Sequence, residues 1–238
     1  MLKKIMGQVF NTGGSVLVSD PALINSFTRN PDFPYLVSFS RTGSHWLRMV
    51  MELYFEKPSL VRAFYYKKAR DFSCFHTHDM ELDLKRQNVI YLYRNPVETV
   101  YSQLRYYEND IEDQARISHW TGLYARHLAK WLIHDDFTKK KTIITYEEMK
   151  SEMSAVLSSV CDHFNERLDH QKLELVLKKT SKTELKKKTK HDQQVVNLTK
   201  EYEHARKAFI ERNTSLIYSQ IYSFEPALEF WLQKNIPV

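Results

Sequence analysis

Two cysteines, Cys74 and Cys161, are too few to frame a disulfide-stapled secreted fold, and both read as small buried apolar residues. No run approaches the roughly 18 consecutive apolar residues of a membrane span. The opening Met-Leu-Lys-Lys-Ile-Met-Gly-Gln-Val-Phe lacks the long apolar core of a secretory signal. These absences set the expectation of a cytoplasmic chain with no membrane span. There is no internal repeat and no low-complexity tail, which argues against solenoid and tail-driven architectures. Glycine is scarce as well, five residues in all. Gly43, the only one between Gly14 and Gly122, therefore marks a place where the backbone needs room.

What is present fits one folded domain. A chain of 238 residues, 42% of them hydrophobic, buries a full core, and a single domain over residues 1–238 suits it better than two small ones. Residues 1–34 carry Gly13, Gly14, Pro21 and Pro31 and form an irregular N-terminal segment with one short helix. Four β-rich runs follow, at 35–39, 73–77, 88–93 and 142–146, each separated from the next by enough residues for a helix. That alternation predicts an α/β fold with a central parallel sheet flanked by helices and joined by right-handed crossovers. Apolar residues at helical spacing mark 44–54, 97–107, 117–134 and 147–164. Helices are also expected over 168–179 and from about residue 199. The lysine-dense stretch 178–198 between them is either a solvated face or a lid over a nucleotide.

The net charge of +6 favours an anionic ligand, although it suits nucleic acid or an anionic membrane surface equally. Residues 35–46 sharpen this. An apolar strand feeds Ser40-Arg41-Thr42-Gly43-Ser44-His45-Trp46, where a cation and two hydroxyls flank the glycine and a helix begins at once. Glycine lets backbone N–H groups approach a ligand, and the helix N-terminus adds unsatisfied donors and the positive end of a dipole. Phosphate or sulfate is the natural guest. The usual nucleotide P-loop, with two glycines and a terminal lysine, is absent.

A second segment offers the same chemistry. Residues 89–93 form an apolar strand that ends at Arg94, followed by Asn95 as N-cap, Pro96 at the first helical position, and Ser102 further along. At about 1.5 Å rise per residue, Ser102 sits roughly 9 Å into the helix, near enough for its hydroxyl and the long arginine to hold one phosphate.

Together these segments resemble the sulfotransferase family. Residues 40–46 are similar to its 5′-phosphosulfate loop, with Ser40 for proline, Arg41 for lysine and His45 for threonine. Arg94-Asn95-Pro96 with Ser102, eight residues after the arginine, is similar to its 3′-phosphate motif. Phe75-His76-Thr77-His78 resembles the family's Lys-Thr-His segment, which places His78 on the catalytic base and His76 on the lysine. Tyr146-Glu147-Glu148-Met149-Lys150 matches a Tyr-Glu-Asp-Met-Lys turn, and Thr180-Ser181-Lys182 a Ser-Phe pair beside the adenine. Lys182 stands where the stacking phenylalanine would be, and no Arg-Lys-Gly triplet appears downstream; lysines 186, 187, 188 and 190 are the candidates to supply its charge.

The resemblance implies a P-loop-like fold and a cofactor, 3′-phosphoadenosine 5′-phosphosulfate (PAPS), with no metal. The implied cofactor-binding residues are Arg41, Thr42, Gly43, Ser44, His45, Trp46, Arg94, Ser102 and Ser181. The implied catalytic residues are His78, Arg41 and His76. Histidine, with a pKa near ~6.5, is mostly neutral at physiological pH and suits proton removal. The partner is a small-molecule acceptor. Four acids among residues 106–116 beside Tyr106 and Tyr107 suggest a cationic or polyhydroxylated one, or else a solvent-facing turn. Phe64, Tyr65, Tyr66 and Phe72 would equally enclose a phenol or a lipid. Two other classes stay open. A P-loop kinase or NTPase requires a Walker lysine and a Mg²⁺-holding aspartate, neither of which is evident. A basic nucleic-acid-binding protein would leave the motif order a coincidence.

Overall fold

The computed structural model describes residues 11–12, 15–188 and 199–233. The N-terminal segment supplies β1 (Asn11–Thr12), β2 (Ser15–Leu17) and α1 (Pro21–Thr28), the last capped by the Asp20 carboxylate. The main alternation then runs β3 (Tyr35–Ser38), α2 (Ser44–Phe55), β4 (Arg62–Ala63), β5 (Phe75–Thr77), β6 (Asn88–Tyr93) and α3 (Pro96–Tyr106). After α4 (Gln114–Leu128), a π-helical segment (Ala129–His134) leads into β7 (Lys140–Thr145), α5 (Tyr146–Ser151), α6 (Met153–His163) and α7 (His170–Lys179). Helices α8 (Lys182–Lys188), α9 (Lys200–Phe224) and α10 (Leu228–Leu232) complete the described chain.

Strands β5, β3, β6 and β7 pair in that order, all parallel, and the expected α/β class is the one observed. Alternation along each strand sorts the core into two layers. Leu36, Ile90, Leu92 and Ile144 face α2, α6 and α7. Val37, Phe39, Val89, Tyr91 and Tyr93 face α3, α4, α9 and α10. The N-terminal segment is less irregular than the sequence suggests, because β1, β2 and β4 form a small antiparallel sheet beside the main one.

The strand order fixes where a ligand belongs. The chain leaves β3 for one neighbour, β5, then crosses to the other side for β6 and β7. The carboxyl ends of β3 and β6 therefore flank the switch point at which open parallel sheets bind their ligands. Both anion motifs lie on the loops that leave those two strands.

Two helices differ from expectation. The one expected over 117–134 begins at Gln114, because Asp113 caps it, and widens into the π-helical segment. That segment carries Lys130 and Trp131, both of which donate to the buried Asp79 Oδ2, at 2.6 and 3.1 Å. The helix expected over 147–164 breaks at Glu152, whose φ and ψ of −141° and 56° are not helical. No helix among the described residues is long and apolar enough to cross a membrane.

Candidate active site

A cavity of about 1030 Å³ opens at the switch point. Its floor is the turn after β3. Arg41 and Gly43 both take left-handed backbone, with φ of 70° and 95°, and α2 starts at the next residue. A Cβ at Gly43 would lie 2.4 Å from Cδ2 of Tyr146, so glycine is required by space as well as by conformation. Trp46 N and Leu47 N already donate to Gly43 O, at 2.9 and 3.3 Å, so at the start of α2 the N–H groups that face no carbonyl of the helix are those of Ser44 and His45. Thr42 does not face the cavity; its hydroxyl donates to Phe39 O at 2.7 Å and ties the turn to the strand it leaves. Arg41, Gly43, Ser44, His45 and Trp46 line the cavity.

The second motif meets the first. Asn95 caps α3 by accepting from the N–H groups of Val97 and Glu98. Arg94 Nη1 donates to Arg41 O at 3.2 Å, and Arg41 Nε donates to Ser102 Oγ at 3.3 Å. Arg94 also stacks on Tyr146, 4.4 Å from the ring centre. Burial works against its charge, but Glu98, Tyr146 and Glu147 outweigh that effect and hold it firmly protonated. The pair Arg94–Glu98 continues to Arg206 Nη1, 2.9 Å from Glu98, and Arg206 Nη2 reaches Glu203 at 2.8 Å. The Arg94 Nε and Trp46 Nε1 donors are buried without partners. Unsatisfied donors beside a cavity lined by cations suit an anionic aromatic ligand.

The histidines separate by role. His78 Nδ1 lies 2.8 Å from Ser38 O, and because a carbonyl only accepts, Nδ1 carries the hydrogen. Its Nε2 is therefore the basic nitrogen, on a ring that lines the cavity. Burial, with help from Arg48 and Arg41, keeps His78 below the ordinary histidine range, while the bond to Ser38 partly opposes the shift. His127 Nε2 donates to His78 O at 2.9 Å and steadies the strand end. His76 is different: Arg48 Nη1 donates to its Nδ1 at 3.4 Å, and its Nε2 donates to Ser38 Oγ at 3.3 Å. With both nitrogens occupied and the ring outside the cavity wall, His76 acts as a brace, 4.8 Å from His78. His45 Nε2 accepts from Arg62 Nη1 at 3.3 Å, which leaves a hydrogen on Nδ1. In place of a hydroxyl, the turn gains a ring N–H donor.

Ser181, Lys182 and Leu185 line the far end of the cavity, with Thr180 buried beneath them. Of the lysines considered for the missing triplet, the side chains of Lys187 and Lys188, and Lys190 entirely, lie outside the described residues, as do 189–198 of the expected lid. Glu148 closes a capping box with Thr145, and Glu147 accepts from Asn95 N at 3.2 Å. The acids of residues 106–116 do not face the cavity. Asp113 caps α4, Glu112 pairs with Arg212 at 2.5 Å, and only Tyr106 and Tyr107 of that stretch reach the wall.

Sequence reasoning missed Arg62 and Arg206. Arg62 sits in a two-residue strand with no periodicity to mark it, and Arg206 lies more than a hundred residues from Arg94 on α9. Glu98, in the first turn of α3 and four residues after Arg94, pairs with it, a contact the sequence motif did not single out.

Two basic anion loops meeting at the switch point of a parallel sheet define an α/β protein of the P-loop-like, anion-binding class. A family model described as the sulfotransferase domain matches residues 70–218, and the chain belongs to that family. The match takes in His78, Arg94, Ser102 and Arg206 and starts beyond the Gly43 turn. Among curated proteins, none matches the chain in sequence. In fold the chain is similar to retinol dehydratase in complex with androsterone and inactive cofactor PAP. That likeness has a TM-score of 0.50 at 12% identity, covering 85% of this chain and 88% of that one. Mouse sulfotransferase SULT7A1 complexed with PAP gives 0.49 at 17% identity, covering 89% and 97%.

Proposed function

We propose that the protein transfers a sulfuryl group from PAPS to a hydroxyl or amine of a small-molecule acceptor, as a single domain over residues 1–238. The observation that carries this reading is the convergence of the Gly43 turn and the Arg94–Ser102 pair on one cavity, with the basic Nε2 of His78 in the same wall. The retinol dehydratase of similar fold was crystallised with PAP, the desulfated product. The partnerless donors of Arg94 and Trp46, and the space kept open at Gly43, suit a doubly anionic nucleotide.

When bound, PAPS supplies the sulfuryl group and leaves as PAP. On this reading Arg41, Ser44, His45 and the first N–H groups of α2 hold the 5′ end. There they neutralise the charge that collects on the leaving phosphate oxygen. Arg94 and Ser102 hold the 3′-phosphate. Arg206, joined to Arg94 through Glu98, supplies charge that the absent triplet would have given. Trp46 and Ser181 border the base. His78, its Nδ1 hydrogen fixed by Ser38 O, takes the acceptor's proton at Nε2. His76 and Arg48 hold that strand end in place.

The test is incubation with PAPS carrying a labelled sulfuryl group and a panel of phenols, sugars and amines. Label should move to at least one acceptor with matching PAP release, and His78→Ala should stop the transfer. No acceptor-dependent PAP release from any class would count against the reading.

A further inference from the structure

The nucleotide contacts proposed above leave charge unassigned in the wall around His78. Arg62 lines the cavity from β4, and among the described residues its guanidinium has one hydrogen-bond partner, His45, at Nη1. Among the described residues no carboxylate lies within ion-pair distance of it. Behind it sits the buried Arg48, whose Nε donates to Ser59 Oγ at 2.7 Å and whose Nη2 donates to Arg62 O at 3.1 Å. Burial draws Arg48 down to about 10, which leaves it charged at neutral pH. His45 and His76 are pushed well below the ordinary histidine range, by burial first and then by the neighbouring arginines, so neither adds a proton.

One buried acid, Glu52, acts on Arg48 from behind; it is held by the N–H groups of Phe64, Tyr65 and Tyr66 and does not line the cavity beside Arg62. The cavity's acids are Glu98, Glu152 and Glu203. Glu98 is held by Arg94 and Arg206, Glu203 by Arg206, and Glu152 lies at the α5–α6 break. The acids after Tyr107, which would have favoured a cationic acceptor, do not line the cavity. A guanidinium in a half-buried wall without an anion is incompletely compensated, and its planar fork fits a carboxylate or phosphate with two parallel bonds.

We propose that the acceptor carries an oxyanion near its reacting hydroxyl or amine, and that Arg62, positioned by Arg48 and His45, binds it. This rests on the reading of the cavity as a PAPS site. Arg62 then selects among acceptors, whereas His78 does the proton chemistry on whichever one is seated.

The test uses the protein saturated with PAP. Dissociation constants are measured for 4-hydroxyphenylacetate, 4-hydroxyphenyl phosphate, the neutral 4-hydroxyphenylacetamide and the cationic tyramine, and for glucuronate, glucose 6-phosphate and glucose. In at least one set an anion should bind tenfold or more tighter than its neutral partner, and the carboxylate and phosphate arms identify which oxyanion is preferred. Arg62→Gln, whose side-chain amide keeps an N–H donor for His45 Nε2, should erase that preference and leave PAP affinity unchanged, which also shows that the variant is folded. Neutral or cationic probes binding as well as the anions, no probe binding at all, or a preference that survives in Arg62→Gln would each overturn the proposal. A changed PAP affinity in Arg62→Gln would assign the residue to the nucleotide and overturn it too. Failure of the wild type to bind PAP overturns both readings, whereas PAP binding without anion preference overturns this one alone.

Discussion

Replacing Gly43 by alanine tests the geometry of the site at its tightest point. The residue has φ 95°, and the added Cβ would meet the Tyr146 ring at 2.4 and 2.8 Å. Left-handed backbone costs an alanine about 1–2 kcal/mol. Forcing a methyl into a packed contact adds about 1–3 kcal/mol. The ring has little freedom to yield, since it packs against the Arg94 guanidinium and stands edge-on to Trp46 at 6.2 Å. Gly43→Ala should therefore lose about 2–5 kcal/mol in urea unfolding, equivalent to roughly 4–20 °C in melting temperature for a domain of this size. Because a displaced Tyr146 releases Arg94, PAP affinity should fall by at least tenfold. In a Tyr146→Ala background the collision disappears and only the backbone cost, about 1–2 kcal/mol, should remain. Equal costs in both backgrounds, or a Gly43→Ala protein within about 0.5 kcal/mol of wild type, would refute the reasoning.

Other outcomes follow from the same contacts. His78→Ala should retain PAP binding and lose transfer by about 10²–10⁴-fold, the usual worth of a general base, as measured by single-turnover label transfer. Since the His78 pKa is lowered, its base form persists as pH falls below the ordinary histidine value. The acid limb of the transfer rate should therefore lie below pH ~6.5 in a pH–rate profile. Arg206→Ala should weaken PAP binding about tenfold, a loss of ~1.4 kcal/mol, and Arg206→Lys should recover part of it in calorimetric titration. Buried neutral histidines also predict acid sensitivity. His127 and His163 are pushed down by burial to about 3 and about 4, so the unfolded chain takes up protons before the folded one does. Stability is full above the unfolded value and should fall as pH drops from ~6.5 towards these values, by up to ~1.4 kcal/mol per pH unit for each ring. Denaturant midpoints measured across that range check the slope.

The four parallel strands and most helices were legible because they rest on local signals: apolar runs bounded by turn residues, and caps such as Asn95-Pro96. The two anion loops were legible for a related reason, since strand, turn and helix N-terminus are contiguous in sequence. What could not be read depended on distant partners. The π-helical segment puts Lys130 and Trp131 on Asp79, some fifty residues earlier. Thr42 looked like part of the anion shell, yet its hydroxyl was needed by Phe39 O. Alternation placed His76 and His78 on one side of β5, but only the Arg48 and Ser38 bonds show that His76 is spoken for and His78 is not. Arg62 and Arg206 reach the cavity from a two-residue strand and a distant helix, and no periodicity points to either.

Calorimetric titration with adenosine 3′,5′-bisphosphate, in the absence of metal, tests the central claim most directly. Saturable micromolar binding by the wild type, lost in Arg94→Ala while the variant keeps its fold by circular dichroism, is the predicted result. No binding of the bisphosphate, together with tight binding of ATP and Mg²⁺ that Arg94→Ala leaves intact, would contradict it.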